Sequence, residues 1–269
     1  MGTSATSVLG VIGTGSITSA VVEGFCTSEA PCRILLSPRN EAKGRALAER
    51  FVQVTRAGSN QEVLDRSDIV LLGVRPGVAP GILQQLRFRP EHTVLSFIPV
   101  IPLATLGGLV GPARRVFKVL PLPYVARHLG LVPFFPADGE LPGLLRALGT
   151  PMPVGNEREL HLLWAITGLI SPFYAQMQLL HEWCVAGGAD PAVSQRYTAS
   201  MYASLASLAE GDGAPGFAAL AAHAATPGGM NEMALALTRA GDTFPDLRRA
   251  LDRILERFGE TPVLGGPEA

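Results

Sequence analysis

Lysine is nearly missing from this chain. Of its 22 basic residues only Lys43 and Lys118 are lysines, and the rest are arginines. Charge is sparse altogether: Asp, Glu, Lys and Arg make up 17% of 269 residues and leave a formal net charge of −1. So neutral a chain lacks the basic face that a nucleic-acid partner would require, and none is expected. Cysteine is scarce as well. Cys26, Cys32 and Cys184 form an odd set without metal-ligand spacing, as fits a reducing cytoplasm. The five histidines are scattered, with no His-x-Glu or His-x-x-x-His pairing, so no metal site is expected. No positively charged start leads into an apolar run, which argues against a signal peptide and for a cytoplasmic location. The longest apolar stretch, Leu162 to Leu180, is broken by Thr167, Ser171, Pro172, Gln176 and Gln178. It reads as a buried or subunit-interface helix and not as a membrane span.

What the chain does have is a β-branched run, Val8 to Ile12, that leads straight into Gly13-Thr14-Gly15-Ser16-Ile17. Gly13 permits a sharp strand-to-helix turn. Gly15, with no Cβ, lets the backbone approach a pyrophosphate whose charge sits on free N–H groups at a helix start. The third position of the glycine fingerprint holds Thr18. Ile17, Ala20, Val21, Gly24 and Phe25 then follow at helical spacing, and Arg33 to Ser37 supplies a second apolar run. Strand, glycine turn, helix and strand thus fit within the length of a βαβ unit. An acidic residue after the second strand would bind a ribose 2′-hydroxyl and select NAD, but here the chain reads Ser37-Pro38-Arg39-Asn40. A hydroxyl and a guanidinium suit a 2′-phosphate, which points to NADP(H).

Strand and helix patterns alternate up to about residue 155. Candidate strands are Val8–Ile12, Arg33–Leu36, Gln53–Thr55, Ile69–Val74, Thr93–Phe97, Arg115–Leu120 and Leu131–Phe135, with Pro151–Val154 as a possible last one. Helices over Glu41–Phe51, Gln61–Asp65, Val78–Leu86 and Pro142–Leu148 fill the gaps. The pattern predicts an α/β fold in which a mainly parallel Rossmann-type sheet occupies residues 1–155. Asp68 to Val74 reads as a central buried strand and ends in Arg75-Pro76, at the edge where open α/β sheets bind ligands. Beyond Glu157 strand signals vanish, so residues 156–262 are expected to be all-helical and 263–269 a disordered tail. Asp190-Pro191 is a helix start, with an N-cap acceptor followed by proline. In this second region Thr226-Pro227-Gly228-Gly229-Met230-Asn231 precedes a helix. Its glycines leave N–H groups for an anion, or make a plain interhelical turn. His161 and His181 are placed on helix surfaces or at a subunit contact, and Lys118, on a strand near the presumed cofactor edge, either caps a strand end or serves the site.

Taken in order, these segments resemble the pyrroline-5-carboxylate reductase family over nearly the whole chain. Gly13 to Thr18 is similar to that family's glycine turn, Ser37 to Asn40 to its NADP phosphate site, and Val74-Arg75-Pro76 to its Val-Lys-Pro beside the ribose. Arg115 to Pro123 resembles the strand ending in Met-Pro-Asn-Thr-Pro. Gly168 to Tyr174 sits where the family has Ser-Gly-Ser-Gly-Pro-Ala-Tyr, and Thr226 to Gly229 matches its Ser/Thr-Pro-Gly-Gly. The resemblance implies a helical second domain that carries substrate and forms a homodimer.

Departures gather at the substrate end. Leu122 alone stands where the family has Asn-Thr, Leu169 and Ser171 replace glycines, and Met230-Asn231 replaces a small residue or Thr followed by Thr. The resemblance therefore implies an NADPH-dependent reductase of a cyclic imine with a bulkier or less polar substrate. Its substrate residues are Leu122, Ser171, Thr226, Gly228, Gly229, Met230 and Asn231, with Asn231 and Tyr174 as catalytic candidates. Gly228 and Gly229 would hold a substrate carboxylate, if there is one. Two alternatives stay open: another NADP oxidoreductase acting on a ketone or a deazaflavin, and a non-catalytic NADPH-binding protein.

Overall fold

The computed structural model describes residues 8–29, 32–211 and 213–260. They form two compact units. One comprises the described residues up to Trp164 together with Arg257–Glu260, and the other is Ala165–Glu256.

The first unit alternates strand and helix: β1 (Val8–Ile12), α1 (Ser16–Thr27), β2 (Arg33–Leu36), α2 (Glu41–Arg50), β3 (Val54–Arg56), α3 (Asn60–Asp65), β4 (Ile69–Leu72), α4 (Ala79–Leu83), β5 (Thr93–Ser96), α5 (Leu103–Leu109), β6 (Arg115–Val119), β7 (Leu131–Phe135), α6 (Leu141–Leu145), β8 (Thr150–Pro153) and α7 (Glu157–Ile166). The eight strands make one sheet in the order β3-β2-β1-β4-β5-β6-β7-β8. All neighbours are parallel except β6 and β7. The exception follows from chain length. Between Val119 and Leu131 lies only a short 3-10 turn at Pro123–Arg127, less than a parallel crossover needs, so the chain returns antiparallel.

The mainly parallel sheet read from the sequence is the one observed, with ends that move by a residue or two. The strand expected over Ile69–Val74 stops at Leu72, where Gly73 leaves the ladder for a turn. The helix expected over Val78–Leu86 is a 3-10 turn at Pro76–Val78 followed by α4, and Pro80 and Gly81 keep it short. Apolar clusters cover both faces of the sheet, as continuous apolar strands require. One cluster packs Val21, Val22 and Phe25 of α1 against β1, β2 and β4, and the other packs Val63, Leu64, Leu83 and Leu106 against Ile12, Val70 and Leu72.

A charged network crosses this unit. Lys118 is fully buried, and its ammonium donates to the Pro99 carbonyl (2.7 Å), to Glu157 Oε1 (2.8 Å) and to His161 Nε2 (2.8 Å). Three donors meet three acceptors. Burial pulls the ammonium below the usual lysine range, and the Glu157 hydrogen bond opposes that pull. Because His161 Nε2 accepts, its Nδ1–H donates to Glu260 Oε1 (2.9 Å), and Arg158 donates to Glu260 Oε2 (2.6 Å). His161 is therefore buried in an ion network and not on a helix surface as its sequence position implied. The same contacts tie Glu260, nine residues before the last residue of the sequence, to α7.

The second unit holds α8 (Ile170–Ala186), α9 (Pro191–Ala209), α10 (Phe217–Ala224), α11 (Met230–Ala240) and α12 (Thr243–Glu256). Asp190 caps α9 by accepting from Val193 N, as its sequence foretold. Within this unit α12 packs on the turn at Thr167–Leu169, where Gly168 leaves room for the Ile254 side chain. Little apolar surface is buried. No residue of α8 is buried, so the buried reading of Leu162 to Leu180 does not hold for the protomer. Trp183 is 76% exposed, Tyr197 70% and Leu208 67%. Among the described residues no helix is long and apolar enough to cross a membrane. The expected tail at 263–269 lies outside the described residues.

Hydrogen bonds from His161 first, and then from Arg158, hold the Glu260 carboxyl below the usual carboxylate range. A depressed folded pKa means a contribution that is present above the unfolded value of about 4.3 and lost as pH falls through the folded value. Glu260→Gln should thus lower denaturant stability at neutral pH and match the native chain in acid. A gap between the two that stays constant down to about pH 3 would contradict the assignment.

Candidate functional site

The carboxyl ends of β1, β2 and β4 converge on the glycine turn. Gly13 has φ +95°, a region that side chains rarely adopt, and a Cβ there would stand 2.7 Å from Val74 Cγ1 and 2.9 Å from the Gly73 backbone. Gly15 is the N-cap of the 12-residue α1, with no side-chain cap and no acidic residue in the first turn. The positive end of that helix and its first N–H groups are left for an anion. Thr14 Oγ1 is buried and has no hydrogen-bond partner. A buried polar atom is seldom left so, and its orphaning at this point fits a bound ligand. Thr18 in the third glycine position is accommodated by a glycine elsewhere. A Cβ on Gly73 would lie 2.0 Å from Thr18 Oγ1, so the close approach of helix to strand depends on Gly73.

The segment after β2 braces this turn and also faces it. Ser37 is 1% exposed, and its Oγ accepts from Gly13 N–H at 3.0 Å. That hydroxyl, read from the sequence as a phosphate ligand, lies beneath the turn and supports it instead. Arg39 is exposed and forms no ion pair among the described residues. Asn40 takes the left-handed conformation (φ 65°) as N-cap of α2, and its Nδ2 donates to the Thr14 carbonyl at 2.8 Å. Lys43 Nζ donates to Ser16 Oγ at 3.0 Å. Asn40 and Lys43 were missed as site residues. The signal for Lys43 was present, since one of only two lysines falls three residues into the helix after the phosphate-site motif. Val74 packs against Gly13, and Arg75 and Pro76 continue the same rim, with Arg75 exposed. The structure thus brings together Gly13, Thr14, Gly15, Ser16, Ile17, Arg39, Val74, Arg75 and Pro76. Leu122, also in this unit, is half-buried at the start of the Pro123–Arg127 turn.

The remaining residues belong to the helical unit. Gly228 has φ +70° and Gly229 is the N-cap of α11. The N–H groups expected to hold a carboxylate already have partners: Gly228 N donates to Glu232 Oε2 (2.7 Å) and Gly229 N to the Thr226 carbonyl (2.8 Å). Asn231 Nδ2 donates to the Ala224 carbonyl at 3.1 Å, so its amide N–H braces its own loop while Oδ1 stays available. Thr226 and Met230 are exposed. Ser171, in the first turn of α8, is exposed too. Tyr174 is 63% exposed and lines a groove between α8 and α9 with Met177, His181 and Thr198. Among the described residues no hydrogen bond joins Tyr174 or Ser171 to the Thr226–Asn231 loop, so the two catalytic candidates are not brought together within this unit. No group of three or more His, Cys, Asp or Glu suited to a metal occurs among the described residues.

The chain is similar to several known proteins. Residues 8–99 match the family model described as NADP oxidoreductase coenzyme F420-dependent. The chain is 31% identical over 137 residues to pyrroline-5-carboxylate reductase 3 of Macaca fascicularis, a stretch covering 48% of each chain. It thus spans about half the length of that relative, and 40% of the zebrafish (Danio rerio) protein of the same name. Among solved structures, 1-pyrroline-5-carboxylate reductase from Streptococcus pyogenes superposes with a TM-score of 0.82 at 19% identity, over 95% of this chain and 99% of that one. The Aspergillus terreus reductive aminase, in complex with NADPH and ethyl-5-oxohexanoate, superposes at 0.60 and 16% identity, over 94% and 92%. At such identities these structures share the fold.

The glycine turn gives a direct test. Gly13→Ala forces a side chain into the left-handed region, at about 1–2 kcal/mol, and drives a methyl against Val74 and Gly73. Nucleotide affinity, followed by NADPH fluorescence, should fall by about tenfold or more. Undiminished affinity would show that the turn is not the binding site.

Proposed function

We propose that this chain, a divergent member of the pyrroline-5-carboxylate reductase family, is an NADPH-dependent reductase acting on the C=N bond of a cyclic imine. The observation that carries the reading is the uncapped start of α1, with the orphaned Thr14 hydroxyl beside it and two cationic side chains, Arg39 and Lys43, on the adjoining loop and helix. The amides of Thr14 to Ile17 would hold the pyrophosphate, since the Gly13 amide is already taken by Ser37 Oγ. Arg39 would hold the 2′-phosphate, and Lys43 would add a point charge. Val74, Arg75 and Pro76 flank the ribose. NADPH bound there supplies a hydride to the imine carbon, while the C=N π pair becomes the lone pair of the amine nitrogen.

The chain's own part is to position the reactants and manage one proton. A cyclic imine with a pKa near neutrality arrives protonated, as an N–H donor. Asn231 Oδ1 is an acceptor suited to that donor, because its Nδ2 is already committed to the Ala224 carbonyl. Tyr174, or a water held by Thr226, supplies the proton where the imine arrives neutral. Leu122 and Met230 offer apolar side chains and Ser171 a bulkier one than glycine, which suits a bulkier or less polar substrate than pyrroline-5-carboxylate. The family model's description favours a second reading, reduction of a deazaflavin, but its match at residues 8–99 speaks only for the nucleotide half and includes none of the Thr226–Asn231 loop.

The exposed apolar side chains of α8, α9 and α11 point to a homodimer. Trp183, Tyr197, Leu208 and Leu237 are each exposed by two thirds or more, and large apolar side chains left in water suit a subunit contact. Sedimentation should show a dimer at micromolar concentration, and Trp183→Glu with Leu208→Glu should yield monomers. A monomeric native chain would contradict this assembly.

Oxidation of NADPH in the presence of five- and six-membered cyclic imines tests the activity. Turnover is expected, and Arg39→Ala should raise the KM for NADPH about tenfold or more while leaving that for NADH nearly unchanged. Tight NADPH binding without turnover of any imine would favour a non-catalytic nucleotide-binding protein.

A further inference from the structure

The Thr226–Asn231 loop would be a carboxylate cradle if its glycine amides were open, and they are not. Glu232 sits in the first turn of α11 and folds back so that its own carboxylate takes the Gly228 amide at 2.7 Å. Gly229 N–H is taken by the Thr226 carbonyl, and Asn231 Nδ2 by the Ala224 carbonyl. The closure follows from local sequence and needs no ligand. The same bond, from an acidic residue back to the amide four residues earlier, closes Gly58 with Glu62 (2.8 Å) and Gly155 with Glu159 (2.7 Å). At those two places it caps ordinary helices. At Gly228 it puts a fixed negative charge on the positive end of α11, where a substrate anion would have to bind.

We infer that Glu232 is a specificity-determining residue that excludes carboxylated imines and admits imines without a carboxylate. The inference rests on the imine-reductase reading above and narrows its substrate class. A substrate carboxylate docking at the Gly228–Gly229 turn would meet the Glu232 carboxylate within a few ångströms and would have to displace it from its amide. An uncarboxylated iminium ion carries only positive charge, and the same carboxylate attracts it. Two further residues agree in direction. Met230 puts a long apolar side chain at the first position of α11, and Leu122 presents none of the hydrogen-bonding groups of an Asn-Thr pair.

The test compares 1-pyrroline with 1-pyrroline-5-carboxylate, reading kcat/KM with NADPH, in the native chain, in Glu232→Gln and in Glu232→Ala. Glutamine keeps a carbonyl acceptor for the Gly228 amide and removes only the charge, so it separates discrimination from helix capping. The native chain should prefer 1-pyrroline by roughly fivefold, since like charges about 4 Å apart at an exposed site cost about that factor. Both substitutions should shift the ratio toward the carboxylated imine by about the same factor. A readout independent of turnover is calorimetric binding of pyrrolidine and of proline in the presence of NADP+, in which the native chain should bind pyrrolidine and reject proline. Equal or better use of the carboxylated imine, with a ratio that Glu232→Gln does not move, overturns the role of Glu232 and leaves the imine reading standing. Turnover of neither imine, with binding of neither amine, overturns both.

Discussion

The positive end of α1 has to face out of the sheet without a cap, and most of the first unit is arranged to permit it. An uncapped helix start leaves several backbone donors unsatisfied, which is costly unless a ligand or water takes them. The chain holds the turn open from three sides. Ser37 Oγ takes the Gly13 amide, Asn40 Nδ2 takes the Thr14 carbonyl, and Val74 fills the space that a Cβ on Gly13 would need. Ser37 and Asn40 follow β2 and Val74 follows β4, so the turn after β1 is rigid only because β1, β2 and β4 are adjacent and parallel. The order of strands in the sheet is therefore part of the site.

The Lys118 network sits at the same carboxyl edge of the sheet, where Ile12, Leu72, Ser96 and Lys118 lie in register across β1, β4, β5 and β6. A fully buried ammonium is tolerable only when every proton has a partner, and here the partners come from the loop after β5, from α7 and, through His161, from Glu260 near the chain end. Removing Glu157 would leave the buried ammonium without its counter-charge, and removing His161 would leave one of its protons unpaired. The network holds in register two segments far apart in sequence, and it explains why one of the chain's two lysines sits on a central strand.

Much of the fold was legible because apolar runs and glycine turns act locally. Val8–Ile12, Arg33–Leu36 and Leu131–Phe135 have the ends that their residue patterns indicate, and Asp190-Pro191 starts a helix as it should. Long-range pairings were not legible. Nothing near Ser37 in sequence shows that its hydroxyl turns inward to Gly13, and nothing near His161 shows that Glu260 will reach it. At the Thr226–Asn231 loop, Pro-Gly-Gly before a helix suggested open amides, but both glycine amides are paired, one of them with a side chain four residues further on. The cofactor end keeps to general rules of helix termini. The substrate end turns on single side chains such as Glu232, Met230 and Leu122, whose effect depends on where the chain places them.

A crystal structure of the chain with NADPH tests the central claim most directly. The account predicts the pyrophosphate over the amides of Thr14 to Ile17, a hydrogen bond to the Thr14 hydroxyl, and the 2′-phosphate between Arg39 and Lys43. Nucleotide density elsewhere, or an adenosine ribose turned away from Arg39 with Thr14 Oγ1 still unpartnered, would contradict it.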